Sequence, residues 1–213
     1  SLPEKLGNQP VVEIGVSVFA NNSNLESVKV GGSVKSIGDH AFSNNNNLKS
    51  VAVSGSVKTI GDYAFANNDS LKSVTVGGSV EIIGNSAFEA CGSLAEVHLN
   101  EGLQKIGSRA FYETGLTSLS LPDSIQEMGI GAFEGCRKLD FVHVGSGLKA
   151  LPNRAFWDCG VLEKFEISED SVLENIGDLT FSHCVSLQEI KFPASLKSIG
   201  SRAFGNCQKL KKV

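Results

Sequence analysis

The sequence is poor in the features that mark several common protein classes. Its 213 residues include one methionine, one tryptophan and five prolines, and no apolar run approaches the length of a membrane span. A formal charge of −4 provides no basic surface for nucleic acid or anionic lipid. We therefore expect no nucleic-acid partner and no direct insertion into a membrane. The 41% apolar content is that of a folded chain with a substantial core.

The motifs of common catalytic and metal sites are also missing. The chain contains no GxSxG, no HExxH, no CxxC and no phosphate-binding glycine loop. Two of its four histidines, His40 and His183, stand alone without a paired ligand in sequence. We therefore expect a protein that is not an enzyme and that carries no cofactor and no metal.

What the sequence does contain is one pattern repeated along almost its whole length. Nine leucines head the copies at a spacing of 23 residues, except that the fourth copy is one residue short and the seventh is two residues long. Self-similarity at a fixed period of this length is typical of a solenoid, in which each repeat forms one coil stacked on its neighbours. We number the coils by these leucines, which are Leu25, Leu48, Leu71, Leu94, Leu116, Leu139, Leu162, Leu187 and, for an incomplete ninth coil, Leu210.

The repeats predict a single solenoid domain over residues 1–213. In this interpretation residues 1–24 are a degenerate first repeat, residues 25–209 are full repeats and residues 210–213 are a truncated repeat. No signal peptide is visible at the start and no polar cap at the end, so we expect a fragment of a longer protein.

Each coil reads LxxVxV, a short turn, VxxIG and then AFxxC. The alternation in LxxVxV predicts a strand, and stacked coils would then form a parallel strand ladder. Short helical turns are predicted for AFxx, because seven of nine repeats (the degenerate first repeat and coils 1–8) place a helix N-cap type after the slot of the IG glycine. We therefore expect an α/β solenoid. The predicted caps are Asp39, Asp62, Asn85, Ser108, Asn153, Asp178 and Ser201.

Two slots of the repeat predict the interior. Nine of the twelve phenylalanines share one slot, so their rings are expected to stack as a column. All five cysteines share another slot, which other coils fill with asparagine or threonine. A polar ladder with reduced structural thiols is expected there. Disulfides and a metal site are the alternatives. Parallel Cβ vectors and an odd cysteine count disfavour disulfides, and a metal is disfavoured because no histidine shares the slot and CxxC is absent.

The pattern resembles the BspA-type leucine-rich repeat, LxxVxIPxxVxxIGxxAFxxC, from about Val11 to Val213. That resemblance implies a leucine-rich repeat fold, a right-handed superhelix with a strand ladder on one face. Family members are typical of surface and secreted proteins and act in adhesion and in binding host or matrix proteins. The resemblance thus implies a cell-surface or secreted protein-binding module, with a host or extracellular-matrix protein as partner. We expect a monomer. A structural spacer with no ligand of its own is the alternative that stays open.

Candidate binding residues are the outward positions of LxxVxV, because packing does not dictate them. Coils 1–3 carry small or simple residues there, whereas later coils carry large and mixed ones, although ordinary solvated side chains would fit as well. His98 and His143, two coils apart at about 10 Å, are too distant to share a metal ion. The predicted face comprises Glu96, His98, Phe141, His143, Lys164, Glu166, Glu189 and Lys191.

Two further features are noted outside this face. Tyr112 and Trp157 follow the phenylalanine slot in coils 4 and 6, where they form either a second binding patch or partly buried side chains. The two extra residues of coil 7 lie within the acidic segment Ser168–Val172. This segment lacks the spacing of a calcium loop, so a solvated excursion is expected.

Overall fold

The computed structural model describes residues 5–6 and 9–213, with side chains from residue 9 onward. The predicted degenerate repeat, residues 1–24, therefore lies partly outside the described residues. The described chain is a parallel-strand β-solenoid in which each of coils 1–8 contributes a longer strand and a two-residue strand. The longer strands are β4 (Ser27–Val30), β6 (Ser50–Val53), β8 (Ser73–Val76), β10 (Glu96–His98), β12 (Ser118–Leu121), β14 (Phe141–Val144), β16 (Lys164–Ile167) and, cut short, β18 (Glu189–Ile190).

The two-residue strands form the second side of the solenoid. They are β3 (Glu13–Ile14), β5 (Ser36–Ile37), β7 (Thr59–Ile60), β9 (Ile82–Ile83), β11 (Lys105–Ile106), β13 (Glu127–Met128), β15 (Ala150–Leu151), β17 (Asn175–Ile176) and β19 (Ser198–Ile199). An antiparallel pair, β1 (Lys5–Leu6) with β2 (Gln9–Pro10), precedes them.

Successive coils pair in register, so that residues of the same slot lie side by side. Val51 of β6, for example, pairs with Val28 of β4 on one side and with Val74 of β8 on the other. Because side chains alternate along a strand, the valines point inward and are buried, whereas the residues between them are more exposed. The strand ladder predicted from the repeat period is confirmed.

Both ladders are interrupted in the middle of the solenoid. The longer strands form one sheet from β4 to β10 and another from β12 to β18. The ladder of two-residue strands is broken between β13 and β15. Prolines coincide with both breaks. Pro122 and Pro152 occupy slots in which other coils, at Gly145 and Gly177, donate a backbone N–H to the preceding coil. A proline has no N–H to donate, so the ladder loses a hydrogen bond at each break.

Phenylalanine rings from successive coils form a continuous stack through the core. Neighbouring ring centroids lie 5.1 to 5.7 Å apart, and the ring planes are within 11° of parallel. The central rings are fully buried, and Phe165 packs edge-on against the stack. The predicted column is therefore confirmed. Its members are Phe19, Phe42, Phe65, Phe88, Phe111, Phe133, Phe156, Phe181 and Phe204.

The five cysteines occupy one slot beside this stack, and all are free thiols. Each Sγ donates to the phenylalanine carbonyl of the preceding coil, as Cys136 does to Phe111 O at 3.2 Å. Where the slot holds Asn68, Nδ2 donates to two phenylalanine carbonyls and Oδ1 accepts from the N–H of Asn45. Burial raises the pKa of Cys91 to about 12, so this thiol stays protonated near neutral pH. The predicted polar ladder with reduced thiols is confirmed.

The predicted helical turns, and with them the α/β class, are wrong: residues 9–213 contain no helix, and so none that could span a membrane. Each AFxx segment is instead preceded by one left-handed residue and ends in another, such as His40 with φ 55° and Asn44 with φ 58°. A right-handed helix needs successive residues at negative φ. Alternate N–H groups also donate to the next coil, as Phe42 N does to Ala64 O at 2.7 Å. The AFxx segments are therefore turns of a β-solenoid.

Five of the seven side chains predicted as helix caps instead accept a backbone hydrogen bond from the next coil, namely those of Asp39, Asp62, Asn85, Asn153 and Asp178. Asp62 Oδ1 accepts from the backbone N–H of Asn85 at 2.7 Å, and Asp39 Oδ1 accepts from that of Asp62 in the same way. The preceding glycine, Gly61, lies outside the left-handed region, but a Cβ there would stand 2.8 Å from the carbonyl carbon of Gly38. Glycine in this slot therefore permits the close approach of coils.

Candidate functional site

Five residues of the predicted binding face come together on the outward side of the second sheet. Strand pairing places Phe141 beside Lys164, His143 beside Glu166, and Lys164 beside Glu189. These residues occupy the outward slots of β14, β16 and β18, on three adjacent coils. The inward slots between them are filled by buried apolar residues, which fix the direction of the outward side chains.

The side chains on this face also contact one another. Lys164 Nζ lies 2.6 Å from Glu166 Oε1 and 5.5 Å from the centre of the Phe141 ring. The hydrogen bond from Lys164 lowers the pKa of Glu166 below its ordinary value. His143 Nδ1 lies 4.0 Å from the second Glu166 oxygen, and both His143 and Phe141 remain half-exposed. The face therefore presents an aromatic ring among charges of both signs.

Glu96 and His98, also predicted for this face, belong to the other sheet. They pair with Ser73 and Thr75 of β8, and no ladder connects β10 to β12. His98 and His143 nevertheless line the same cleft, which has a volume of 250 Å³ and lies over this break. In the part of the chain from residue 9 onward, no three His, Cys, Asp or Glu residues are grouped so that they could hold a metal ion.

A larger open groove, with a volume of 730 Å³, crosses coils 6 to 8 beside the same face. We call it the coil 6–8 groove. Its floor is the outward side of the strands, and its walls are the loop after β16 and the corner after β18. Because these two segments follow parallel strands of neighbouring coils, the two walls lie side by side at one edge of the floor. It includes five of the predicted residues. It is lined by His143, Lys164, Phe165, Glu166, Ile167, Ser168, Glu169, Asp170, Glu189, Lys191, Phe192, Pro193 and Ala194.

The loop wall is the segment of coil 7 that contains its two extra residues, Ser168–Val172. Its base is anchored: Ser171 is 7% exposed, and its hydroxyl accepts from the N–H of Leu173 at 3.2 Å. From the next coil, Ser195 Oγ donates to Ser171 O at 3.0 Å. The two acidic residues at its tip are exposed. The solvated excursion predicted from the sequence thus has a fixed base, and its tip forms a wall that the sequence analysis did not anticipate.

Tyr112 and Trp157, the second predicted patch, lie on turns of coils 4 and 6 and are separated by coil 5. Both are half-buried. The Arg109 guanidinium lies 5.1 Å from the centre of the Tyr112 ring, and Trp157 meets the ring of His183 edge-on at 5.5 Å. Each ring is thus partly covered by a neighbouring side chain, and binding by this patch stays a prediction.

Between these rings lies Glu134, which the sequence analysis missed. It is 6% exposed and forms no salt bridge with any residue from 9 to 213. Burial raises the pKa of this carboxyl, against the opposing effects of Arg109 and Arg154. A sequence signal existed, because coil 5 places an acidic residue in a slot that several coils fill with alanine or serine.

In-register parallel strands, one coil per repeat and a leucine at the head of each coil, buried in coils 2–8, define a leucine-rich repeat solenoid. The model of the BspA type leucine rich repeat region matches residues 12–129 and 104–213, with six copies. The chain belongs to this family, as the repeat pattern predicted. No curated protein matches the chain.

Solved structures with the same fold are bacterial leucine-rich repeat proteins. A leucine rich repeat protein of T. pallidum is 25% identical over 99% of this chain and 76% of its own, with a TM-score of 0.60. The pneumococcal vaccine antigen PcpA is 20% identical over 99% of this chain and 70% of its own, with a TM-score of 0.58. A leucine rich cell surface protein of Faecalibacterium prausnitzii is 21% identical over 99% of this chain and 86% of its own, with a TM-score of 0.52.

Proposed function

We propose that this chain is a non-enzymatic protein-binding module of a cell-surface or secreted protein, that it acts in adhesion, and that it forms one solenoid domain. Binding uses the outward face of β14, β16 and β18. The observation that carries the proposal is the change along the outward slots. They hold small or simple residues such as Ser50 and Ala52 in the first coils, and Phe141, Lys164 and Glu166 in coils 6 and 7.

The fold does not require this change in the outward residues. The inward slots keep the same apolar character in both halves of the solenoid, because the core is the same. A half-exposed aromatic ring next to charged side chains resembles a protein interface, in which aromatic residues are enriched at the centre and polar residues form the rim. Phe141 is already restrained by Lys164, so it loses little side-chain freedom on binding.

The comparisons support the proposed location. The Faecalibacterium prausnitzii relative is described as a cell surface protein, and the pneumococcal relative as a vaccine antigen. A surface-exposed or secreted solenoid with an aromatic and charged face fits a host or extracellular-matrix protein as partner.

A binding assay on host cells and on extracellular matrix tests the proposal. The labelled wild-type protein is compared with a variant carrying Phe141→Ala, His143→Ala and Glu166→Ala, and with a control carrying Ser27→Ala, Lys29→Ala and Thr75→Ala on the first sheet. We expect the face variant to lose binding at least tenfold and the control to bind as the wild type does. Equal binding by the face variant, or no binding by the wild type, would contradict the proposal.

One observation favours the second candidate, a structural spacer. The outward slots of coils 1–3 carry no large side chain apart from Lys29, and the phenylalanine stack continues through the whole described solenoid. A spacer would bind neither cells nor matrix, and a domain elsewhere in the parent protein would supply all of its binding. The same assay distinguishes the two candidates.

A further inference from the structure

The charges that line the coil 6–8 groove are unbalanced. Four carboxylates and two ammonium groups line it. Lys164 is paired with Glu166 at 2.6 Å, whereas the wall residues Glu169 and Asp170 form no salt bridge with any residue described from position 9 onward. Glu189 is paired with Lys212 at 3.8 Å, and Lys191 forms no salt bridge with any residue from 9 to 213. The groove therefore keeps an excess of negative charge, and that excess lies on the loop wall.

The neighbouring wall, on coil 8, is apolar. It consists of Phe192, Pro193 and Ala194, and the Phe192 ring packs at 6.0 Å against Phe204 at the end of the core stack. Strand β18 ends at Ile190, after two residues, and Pro193 has no N–H with which to extend the ladder. The groove is thus bounded by an acidic wall and an apolar wall, both anchored to the solenoid.

The shape of the groove excludes a deeply enclosed ligand. It is open on its solvent side and crosses three coils, which at strand spacing corresponds to about 10 Å, or roughly three residues of extended chain. Small-molecule sites bury most of their ligand, whereas an open groove of this length suits a polypeptide segment. Because hydrogen bonds already hold the base of the loop wall, the loop loses less conformational freedom when a partner binds.

We infer that the coil 6–8 groove binds an extended segment of a partner protein that places a lysine or arginine against Glu169 and Asp170 and an apolar side chain against Phe192 and Pro193. This inference rests on the proposed function, because it names the chemistry of the partner that the strand face binds. Opposite charges at such a site select the partner and speed its association.

Fluorescence anisotropy with two labelled synthetic peptides tests the inference. One carries a central Leu-Arg-Leu-Arg between glycine–serine flanks, and the other carries Leu-Glu-Leu-Glu in the same flanks. We expect the basic peptide to bind at least tenfold more tightly than the acidic one, and its affinity to fall as salt concentration rises. Equal affinities, or no binding of the basic peptide, would overturn the inference.

A matched pair of variants locates the effect. Glu169→Lys with Asp170→Lys reverses the charge of the wall, while Glu13→Lys with Asp69→Lys makes the same change of charge at exposed positions outside the groove. We expect the wall variant to weaken binding of the basic peptide at least tenfold and the control to leave it unchanged. Equal effects of the two variants would show attraction by net charge alone and would overturn the inference.

The two proposals fail in different ways. If the Phe141, His143 and Glu166 variant abolishes binding to cells while the basic peptide does not bind, the groove inference fails and the proposed function stands. If the wild type binds neither cells nor matrix, the proposed function fails with it.

Discussion

Truncation of one ring of the phenylalanine stack is the sharpest test of what holds the solenoid together. Phe88 is fully buried, and its ring centroid lies 5.3 Å from that of Phe65 and 5.2 Å from that of Phe111. Phe88→Ala removes the ring and leaves a cavity, which costs about 3–5 kcal/mol in free energy of unfolding. Because two ring contacts are lost, each worth about 0.5–1.5 kcal/mol, the cost should lie near the upper end.

The control lies at the end of the same stack. Phe19 is only partly buried and touches one neighbouring ring, Phe42 at 5.2 Å, so Phe19→Ala should cost less than half as much. Urea unfolding followed by circular dichroism gives both values. Two probes are needed, because solenoids do not always unfold in one step. A cost below about 1.5 kcal/mol for Phe88→Ala, or equal costs for both variants, would refute the stacked-core reasoning.

Three further predictions follow from the polar ladder, the left-handed turns and the buried carboxyl. Asn68→Leu should cost about 1–3 kcal/mol, because it leaves the N–H of Asn45 without a partner, while the carbonyls of Phe42 and Phe65 each keep a second donor. Asn68→Cys should cost less by keeping a donor to the preceding coil, and chemical denaturation measures both. Asn67 has a φ of 56°, so Asn67→Val should lower the free energy of unfolding by about 1–2 kcal/mol in the same assay. Asn67→Gly should be neutral or stabilising, and the control Asn46→Val should be nearly neutral. The raised pKa of Glu134 means that its protonated form favours the fold, so this contribution is present below pH 4.5 and is lost as pH rises through the raised pKa. Glu134→Gln should therefore unfold at a higher temperature than the wild type at pH 7, with the difference shrinking below pH 4.5; a difference independent of pH would contradict this.

The interior was predictable because it repeats. A period of 23 residues places nine of the twelve phenylalanines in one slot and all five cysteines in another, and in-register stacking converts slots into columns. The alternation of LxxVxV likewise determines which residues point outward. Contacts between neighbouring coils on the strand face, such as His143 with Glu166, follow from the same register.

The turns were predicted wrongly because the same hydrogen bond from a backbone N–H to an aspartate or asparagine side chain occurs both at helix N-termini and between coils of a solenoid. Aspartate and asparagine accept a hydrogen bond from a free backbone N–H, whether it belongs to their own helix or, as for Asp62 and Asn85, to the next coil. A better signal was present in the second left-handed slot, which holds Asn21, Asn44 and Asn67, residues that tolerate positive φ.

The site was predictable only in part, because it depends on departures from the repeat. The ladder break near Pro122 separates Glu96 and His98 from the rest of the predicted face. The groove exists because coil 7 is two residues longer than its neighbours, and the sequence did not reveal where that loop would stand. The burial of Glu134 depends on side chains from the coils on either side of it, and no pattern within one repeat encodes it.

Site-specific photo-crosslinking tests the central claim most directly, namely that this solenoid binds a protein through the outward face of coils 6–8. A photoreactive phenylalanine analogue is placed at Phe141 in one preparation and at Ser27, an outward position of coil 1, in another. Each preparation is irradiated on host cells and on extracellular matrix. The account predicts a discrete crosslinked product from position 141 and none from position 27. Products of equal yield from both positions, or a product from position 27 alone, would contradict it.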